Sequence, residues 1–290
     1  MHDPVGVIGV GNMGGAMAAR LLERGFPVAV RDVRAEAETP LVALGARRVA
    51  SPSEIAQSCN SILIVVVDAK QIDEVLSGAH GLLTALRRGH LVLTQSTIAP
   101  ADAARIATAI GARGALALDA PISGGPERAR TGQLSIMAAG PDAALECAQP
   151  LLEALAARVF RMGAEPGRGS TMKLVNNLLA GVYLAAGAEA FAIGRAAGLD
   201  PRTMAEVFAA SSGQSWILAD RVARVLAEDR MPRAQMHILA KDLRLAEDLA
   251  RSLGKPTSLG AATTTLFAAA MAAGFGDADD SALISWAAAR

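Results

Sequence analysis

Val5-Gly-Val-Ile-Gly-Val-Gly-Asn-Met-Gly14 decides how the rest of the chain is read. Its first half is a short β-branched apolar run, and the residues after it, Ala16 to Arg24, carry helical periodicity, so the stretch reads as strand, glycine-rich turn and helix. In that context Gly9 permits the tight turn, Gly11 lets a pyrophosphate approach the backbone, and Gly14 allows the helix to pack closely on the strand. Val10, Asn12 and Met13 complete the turn, which aims the helix N-terminus at the phosphates. The next apolar run, Pro27-Val-Ala-Val-Arg-Asp32, ends in an acid 18 residues past Gly14, close to where a ribose-binding carboxylate is expected. Asp32 favours NAD, because a carboxylate accepts from the ribose 2′-hydroxyl and repels a 2′-phosphate. Arg34 leaves NADP open, since a guanidinium nearby accommodates that phosphate.

The alternation continues outward from this unit. A helix is expected near 35–44, a short strand near 47–50, and a helix start at Ser51-Pro-Ser-Glu54 with proline in its first turn. Ser61-Ile-Leu-Ile-Val-Val-Val67 is apolar throughout, as a strand buried on both faces must be, which argues for a parallel sheet covered by helices. Further strands are expected at 90–96, 115–119, 134–139 and 159–162. Ligands bind beyond the C-terminal ends of strands in such sheets, so Val67, Thr97 and the Ser123-Gly-Gly125 loop become candidates, with helix capping by Ser and Thr as the competing role. The strand signal stops near Glu165. From there small-residue helical patterns run to the end, at 169–198, 202–210, 219–227, 234–253, 261–273 and 279–289. The expected architecture is α/β: a Rossmann-type doubly wound, mostly parallel sheet over residues 1–164, followed by an all-α domain over 165–290, joined by a long interdomain helix.

That helix opens with Gly167-Arg-Gly-Ser-Thr-Met-Lys-Leu-Val-Asn-Asn177. Lys173 and Asn177 are four residues apart, which stacks an ammonium and a carboxamide on one helical face, one turn apart, able to act on one small molecule. The bland alternative is a lysine snorkelling from a partly buried helix.

Composition excludes other classes. Lys and Arg number 28 and Asp and Glu 28, so the net charge is zero and no footprint for nucleic acid exists. Cys59 and Cys147 lie far apart with no metal-ligand spacing, and are read as small buried apolar residues; no metal is expected. Residues 256–276 carry no charged side chain between Pro256 and Gly276, yet they are rich in Ala, Thr and Gly and read as a buried helix rather than a membrane span. No basic region followed by an apolar core precedes Val5, so a cytoplasmic compartment is expected. The Ala-rich helical half is expected to complete its core in a homo-oligomer, a homodimer or homotetramer.

Four motifs in order resemble the β-hydroxyacid dehydrogenase family, which contains 3-hydroxyisobutyrate dehydrogenase and tartronate semialdehyde reductase. They are Gly9-Val-Gly-Asn-Met-Gly14 with Met17-Ala18, Asp119-Ala-Pro-Ile-Ser-Gly-Gly125, Gly167-Arg-Gly with Lys173 and Asn176-Asn177, and Lys241-Asp-Leu243. The helical half is similar to the L-threonate dehydrogenase branch through Asn177-Leu-Leu-Ala-Gly-Val-Tyr183, Ala188-Glu-Ala190, Ser215-Trp216 and Asp279-Asp-Ser-Ala-Leu283. The resemblance implies that Lys173 is the catalytic lysine beside the substrate hydroxyl and that Asn177 holds the substrate. It also implies that Ser123 and the amides of Gly124 and Gly125 receive the carboxylate, and that Thr97 and Lys241 contact the cofactor near its nicotinamide. Free lysine titrates at about 10.4, so acting as a base near neutrality requires burial or adjacent positive charge; the alternatives are proton donor in the reverse reaction or electrostatic support.

Departures from the family pattern concern the substrate. Ala234 stands where many relatives carry an aromatic residue, leaving room for a polyhydroxylated acid. Gln95 replaces a common Asp, and Gln214 stands where the branch often has Asn. Trp216 is a candidate pocket wall or a core residue, and His237 a substrate contact or a structural histidine. The expected activity is NAD-dependent oxidation of a short hydroxy acid, a four-carbon aldonate of the threonate or erythronate type. The alternatives are a tartronate semialdehyde reductase or 3-hydroxyisobutyrate dehydrogenase, an imine reductase, and a non-catalytic NAD(P)-binding scaffold.

Overall fold

The structure is a computed structural model and describes residues 2–290. The chain divides into two compact units, 1–173 and 174–290. The dividing point lies inside a helix, beyond the 164/165 boundary expected from where the strands stop, because the first turns of that helix pack on the sheet of the first unit.

The first unit is built on one sheet. Strands β1 (Val5–Ile8), β2 (Val28–Arg31), β3 (Arg47–Arg48), β4 (Ser61–Ile64), β5 (Leu91–Thr94) and β6 (Leu116–Asp119) are parallel to their neighbours and stand in the order β3-β2-β1-β4-β5-β6. Beyond β6 the sheet turns antiparallel: β8 (Leu134–Ala139) pairs antiparallel with β6 and with β7 (Ile122–Ser123), and β9 (Ala156–Gly163) runs parallel to β8. The doubly wound, mostly parallel sheet is therefore as expected. The two-residue β7 carries too little pattern to be read from sequence, and β4 is shorter than its apolar run because Val65 to Val67 leave the ladder.

Period-two alternation feeds two cores. Val5, Val7, Leu63, Leu91, Leu93 and Leu118 point to one face, where α1 (Asn12–Glu23) and α7 (Asp142–Leu155) contribute Met17, Leu21, Leu151 and Leu155. Ile8, Ile62, Ile64 and Val92 point to the other, against α3 (Pro52–Ser58), α4 (Ala69–Ser77) and α5 (Pro100–Gly111), which supply Ile55, Ile72, Leu76 and Ile106. Covering both faces of the sheet is what lets its strands be continuously apolar. The remaining helices of this unit are α2 (Ala35–Ala43) and α6 (Gly125–Thr131).

Helix α8 (Arg168–Ala196) starts in the first unit and continues into the second. The second unit is helical: α9 (Pro201–Ala210), α10 (Trp216–Leu226), α11 (Met236–Ser252), α12 (Ser258–Ala270) with a terminal wide turn over Met271–Phe275, and α13 (Ala282–Ala288). Its core gathers Leu184, Phe191, Leu218, Met236, Leu243, Phe267 and Leu283. Small residues allow the close crossing of α8 and α11: a β-carbon on Gly181 would stand 2.6 Å from a methyl of Leu243.

Two expectations are corrected here. Helix α12 is not buried all round; it inserts only the narrow stripe Gly260, Thr263, Phe267 and Ala270, and Leu259 is exposed. Alanine raises hydropathy without supplying much area to bury, which is why the composition misled. Among the described residues two helices, Arg168–Ala196 and Ser258–Phe275, are long and apolar enough to cross a membrane. Cys59 is buried as expected, but Cys147 is exposed on α7; both are free thiols.

Candidate active site

Within the first unit, the expected residues follow the C-terminal ends of adjacent parallel strands. The glycine-rich turn follows β1, Asp32 follows β2, Val67 follows β4 and Thr97 follows β5, while Ser123 ends the short β7 four residues past the end of β6. The turn lies beside the point where strand order reverses between β1 and β4, the place where open α/β sheets bind ligands.

The glycines have separate physical reasons. Gly9 has φ +86°, and a β-carbon on it would meet the Val65 carbonyl oxygen at 2.5 Å. A β-carbon on Gly14 would stand 1.9 Å from the Gly9 carbonyl oxygen, so no side chain fits there while helix and strand keep their spacing. Gly11 is different: its β-carbon would approach only Arg34 Nη2, at 3.4 Å, and it is the N-cap of α1 with no side-chain cap. Backbone N–H groups at an open, uncapped helix start with no acid in the first turn suit a pyrophosphate.

Asp32 is buried and doubly held. Val10 N–H donates to Oδ2 at 2.8 Å, and Arg34 N–H donates to Oδ1 at 2.9 Å, with Arg34 Nε 3.5 Å from Oδ1. One carboxylate thus ties the glycine-rich turn to the end of β2, while the Arg34 side chain remains largely in solvent. Behind it stands Glu38, 1% exposed, which accepts from Asp32 N–H at 2.7 Å and pairs with Arg48 Nε at 2.6 Å. The sequence gives no sign of this role, because Glu38 reads as an ordinary acid in the first turn of α2.

The exits of β4 and β5 are joined by Ser96, whose Oγ accepts from Val66 N–H at 3.2 Å. Val67 is partly exposed and donates its N–H to Gln71 Oε1 at 2.9 Å. Thr97 follows directly. At the exit of β6, Ser123 is half-buried, and Gly124 and Gly125 take φ +138° and +78°; a β-carbon on Gly125 would meet nothing within 4 Å. This leaves open backbone beside a hydroxyl, a shape that suits a small anion.

Asp119 ends β6 and reaches the start of α8. Its Oδ2 accepts from Gly167 N–H at 2.8 Å and Ser170 N–H at 2.9 Å, and its Oδ1 accepts from Ser170 Oγ at 2.7 Å. Burial pushes the Asp119 carboxyl above its ordinary range, opposed by the hydrogen bonds from Ser170 and Gly167. Lys173, three residues past Ser170, is 8% exposed. A lysine so deeply placed in a helix start has no ordinary surface role.

In the second unit, Asn177 donates Nδ2–H to Asp242 Oδ2 at 2.6 Å, and its own Oδ1 accepts from Asn176 Nδ2 at 3.1 Å. The Lys241 ammonium lies 2.8 Å from Asp242 Oδ1, a charge contact outside aligned hydrogen-bond geometry. Asn177 and Lys241 are therefore gathered around one buried carboxylate, which sequence reading quoted but gave no role. Trp216 opens α10 and is 51% exposed, which removes the core-tryptophan alternative. Its neighbour Ser215 is the N-cap of that helix, accepting from Leu218 N–H at 3.2 Å. His237 Nδ1 stands 3.0 Å from the Gly276 carbonyl oxygen, a structural contact. An apolar hollow between α9 and α10, lined by Phe208, Leu218 and Val222, holds none of the expected catalytic residues. Among the described residues no group of three or more His, Cys, Asp or Glu is arranged to hold a metal.

Comparison with known proteins bears on the fold and the family. Residues 4–163 match the family model of the NAD-binding domain of 6-phosphogluconate dehydrogenase, and residues 167–287 match that described as NAD-binding of NADP-dependent 3-hydroxyisobutyrate dehydrogenase. The chain is 41% identical over 284 residues to an L-threonate dehydrogenase of Cupriavidus necator, covering 98% of this chain and 96% of the relative. It resembles a crystal structure of 3-hydroxyisobutyrate dehydrogenase from Salmonella typhimurium with a TM-score of 0.91 and 38% identity, over 98% of this chain and 99% of the other. A structure of Psf3 in complex with NADP+ and 2-OPP superposes with a TM-score of 0.90 at 29% identity, covering 97% and 99%.

Proposed function

The chain belongs to the 3-hydroxyisobutyrate dehydrogenase family and is an NAD(P)-dependent hydroxyacid dehydrogenase, and from that premise we propose that it oxidises a four-carbon aldonate of the threonate or erythronate type with NAD. The observation that carries the catalytic part is the buried Lys173, one helical turn from Asn177, on a helix start fixed to the sheet.

The residues fit the cofactor, since the Gly9 and Gly14 positions admit no side chain while Gly11 stays open toward Arg34. Bound nicotinamide supplies the hydride acceptor. The Gly9–Gly14 turn, with Val10, Asn12 and Met13, would hold the pyrophosphate; Asp32 would take the ribose hydroxyls; and Val67, Thr97 and Lys241 are assigned to the cofactor's nicotinamide end. Ser123 with the Gly124 and Gly125 amides receives the substrate carboxylate. Asn177 orients the hydroxyl, whose proton passes to Lys173 Nζ during oxidation and returns from it during reduction.

Support for the four-carbon acid comes from the second unit. Ala234 N–H donates to Asp279 Oδ2 at 3.0 Å, and the Ala234 carbonyl accepts from Asp280 N–H at 2.8 Å. Asp279 also takes Arg224 Nη1 at 3.1 Å, and Asp280 pairs with the buried Arg221. The small residue at 234, a departure from the wider family, and the Asp279-Asp280 motif quoted for the threonate branch thus form one local structure. Trp216, exposed at the start of α10, is assigned to the substrate side.

A homo-oligomer, dimer or tetramer, is part of this reading, supported by the exposed stripe Val175, Leu179 and Tyr183 at successive turns of α8. Light scattering gives the stoichiometry; a monomer at micromolar concentration rejects it.

The experiment is NADH formation at mildly alkaline pH with L-threonate, D-threonate, the erythronates, D-glycerate and 3-hydroxyisobutyrate, each with NAD and NADP. Turnover confined to a four-carbon acid is expected. Activity only on the three-carbon or methylated acids replaces the substrate while keeping the lysine chemistry, and NADH binding without turnover moves the protein to the imine-reductase or scaffold reading.

A further inference from the structure

Helix α8 begins after Pro166-Gly167, two residues that offer no side-chain cap to the first turn. The N–H groups of that turn are instead taken by a carboxylate from a strand 48 residues away. Asp119, 3% exposed, accepts from Gly167 N–H, Ser170 N–H and Ser170 Oγ–H at 2.7–2.9 Å. Ser170 is 0% exposed. The turn is confined on its other sides as well. A β-carbon on Gly169 would lie 2.4 Å from the Met137 carbonyl oxygen and 2.8 Å from that of Asp119, and one on Gly167, at φ +100°, would lie 2.7 Å from the Pro100 carbonyl oxygen.

A buried carboxyl group is a costly way to cap a helix, where a serine or aspartate at the N-cap would do the same locally. What the remote carboxylate adds is a link. Asp119 is four residues before Ser123 on the same segment, and Ser170 is three residues before Lys173 on the helix. We propose that Asp119 and Ser170 form a positioning clamp that fixes Lys173 against the Ser123–Gly125 loop, so that a hydroxy acid held there by its carboxylate presents its hydroxyl to the ammonium. Asp119 and Ser170 are positioning residues, since neither touches the reacting atoms in this assignment. The clamp builds on the reading of Lys173 as the catalytic lysine. Displacing a reacting group by about 1 Å costs on the order of 10²-fold in rate, so a loosened clamp appears in kcat before it appears in cofactor binding.

The test compares wild type, Ser170→Ala, Ser170→Thr, Asp119→Asn and Lys173→Ala, with NAD and the acid turned over fastest in the panel above. Rates are expressed per NADH-binding site, counted by fluorescence titration, so that loss of folded protein is separated from loss of geometry. Ser170→Ala and Asp119→Asn are expected to lower kcat about 10- to 100-fold while the NADH Kd stays within about twofold, and Ser170→Thr, which keeps the hydroxyl, to restore kcat to within about threefold. Should Asp119→Asn fail to fold, the Ser170 pair decides alone. Wild-type kcat per site in Ser170→Ala, or a loss accounted for wholly by fewer NADH sites, overturns the clamp while an inactive Lys173→Ala leaves the catalytic reading standing. Turnover by Lys173→Ala, or silence of the wild type across the panel, overturns that reading and the clamp with it.

Discussion

Asn177 donates its carboxamide N–H to Asp242 Oδ2 at 2.6 Å, and Asp242 is 3% exposed. The carboxylate fixes which way the amide faces, because its nitrogen is drawn to Asp242 and its oxygen to Asn176. Asp242→Ala removes the carboxylate that Asn177 and the Lys241 ammonium share. The expected result is a fall in kcat/KM on the order of 10²-fold, with KM for the hydroxy acid raised, measured by steady-state kinetics. Asp242→Asn, which keeps an acceptor for Asn177, should recover part of this loss. Equal losses in the two variants would show that the carbonyl oxygen left by Asn does not hold the amide.

In the proposed reading Lys173 carries the proton step. Lys173→Ala is expected to lower turnover by about 10³-fold or more while NADH binding survives. Lys173→Arg separates two roles for the cation. Arginine keeps the charge but stays protonated in proteins, so it supports a developing alkoxide without exchanging a proton. A loss of about 10²-fold or more in Lys173→Arg assigns proton transfer to the lysine, whereas turnover within about tenfold of wild type assigns electrostatic support.

Much of the candidate site was proposed before any coordinates, for a local reason. Gly9 and Gly14 are demanded by backbone geometry within six residues, and helical spacing alone puts Lys173 and Asn177 on one face, their roles being implied by the family resemblance. What escaped depends on pairings distant in the chain. Asp119 reads as the end of a strand until Ser170, 51 residues on, is brought to it, and Asp242 reads as the neighbour of Lys241 until Asn177, 65 residues away, is brought to it. Glu38 escaped because an acid in a first turn needs no other explanation, and only the arrival of Arg48 and the Asp32 amide shows it buried. The outer face of α12 misled in the opposite direction, since alanine-rich sequence does not say which side meets the core.

Stability should respond to acid through His90. The ring is buried, and its Nδ1 accepts from Arg87 N–H at 3.0 Å; burial first, then the Arg87 charge, holds the imidazole below its ordinary value. In the unfolded chain the same ring takes up a proton at about pH 6.5. Below that pH the unfolded state binds more protons than the folded one, so stability present at neutral pH declines as pH falls toward the folded-state value. His90→Gln removes this dependence. The Tm advantage of wild type over His90→Gln is expected to narrow between about pH 7.5 and 5.5, read by scanning calorimetry, and a gap constant with pH would reject the linkage.

In the proposed reading cofactor choice turns on two side chains at one place. Asp32 is held by Val10 and Arg34 backbone N–H groups, and the Arg34 side chain, largely exposed, stands 3.4 Å from the space a Gly11 β-carbon would fill. The carboxylate opposes a 2′-phosphate and the guanidinium attracts it, so their substitutions should move the two cofactors in opposite proportion. Arg34→Ala is expected to lower kcat/KM for NADP about tenfold, the worth of one lost charge-assisted hydrogen bond, and to leave NAD within about twofold. Asp32→Ala also releases the Val10 amide and loosens the glycine-rich turn, so both cofactors weaken, NAD more than NADP. Kinetics with both cofactors on each variant provides the check. Equal losses for NAD and NADP in Asp32→Ala would reduce Asp32 to a fastener of the turn and remove it from ribose recognition.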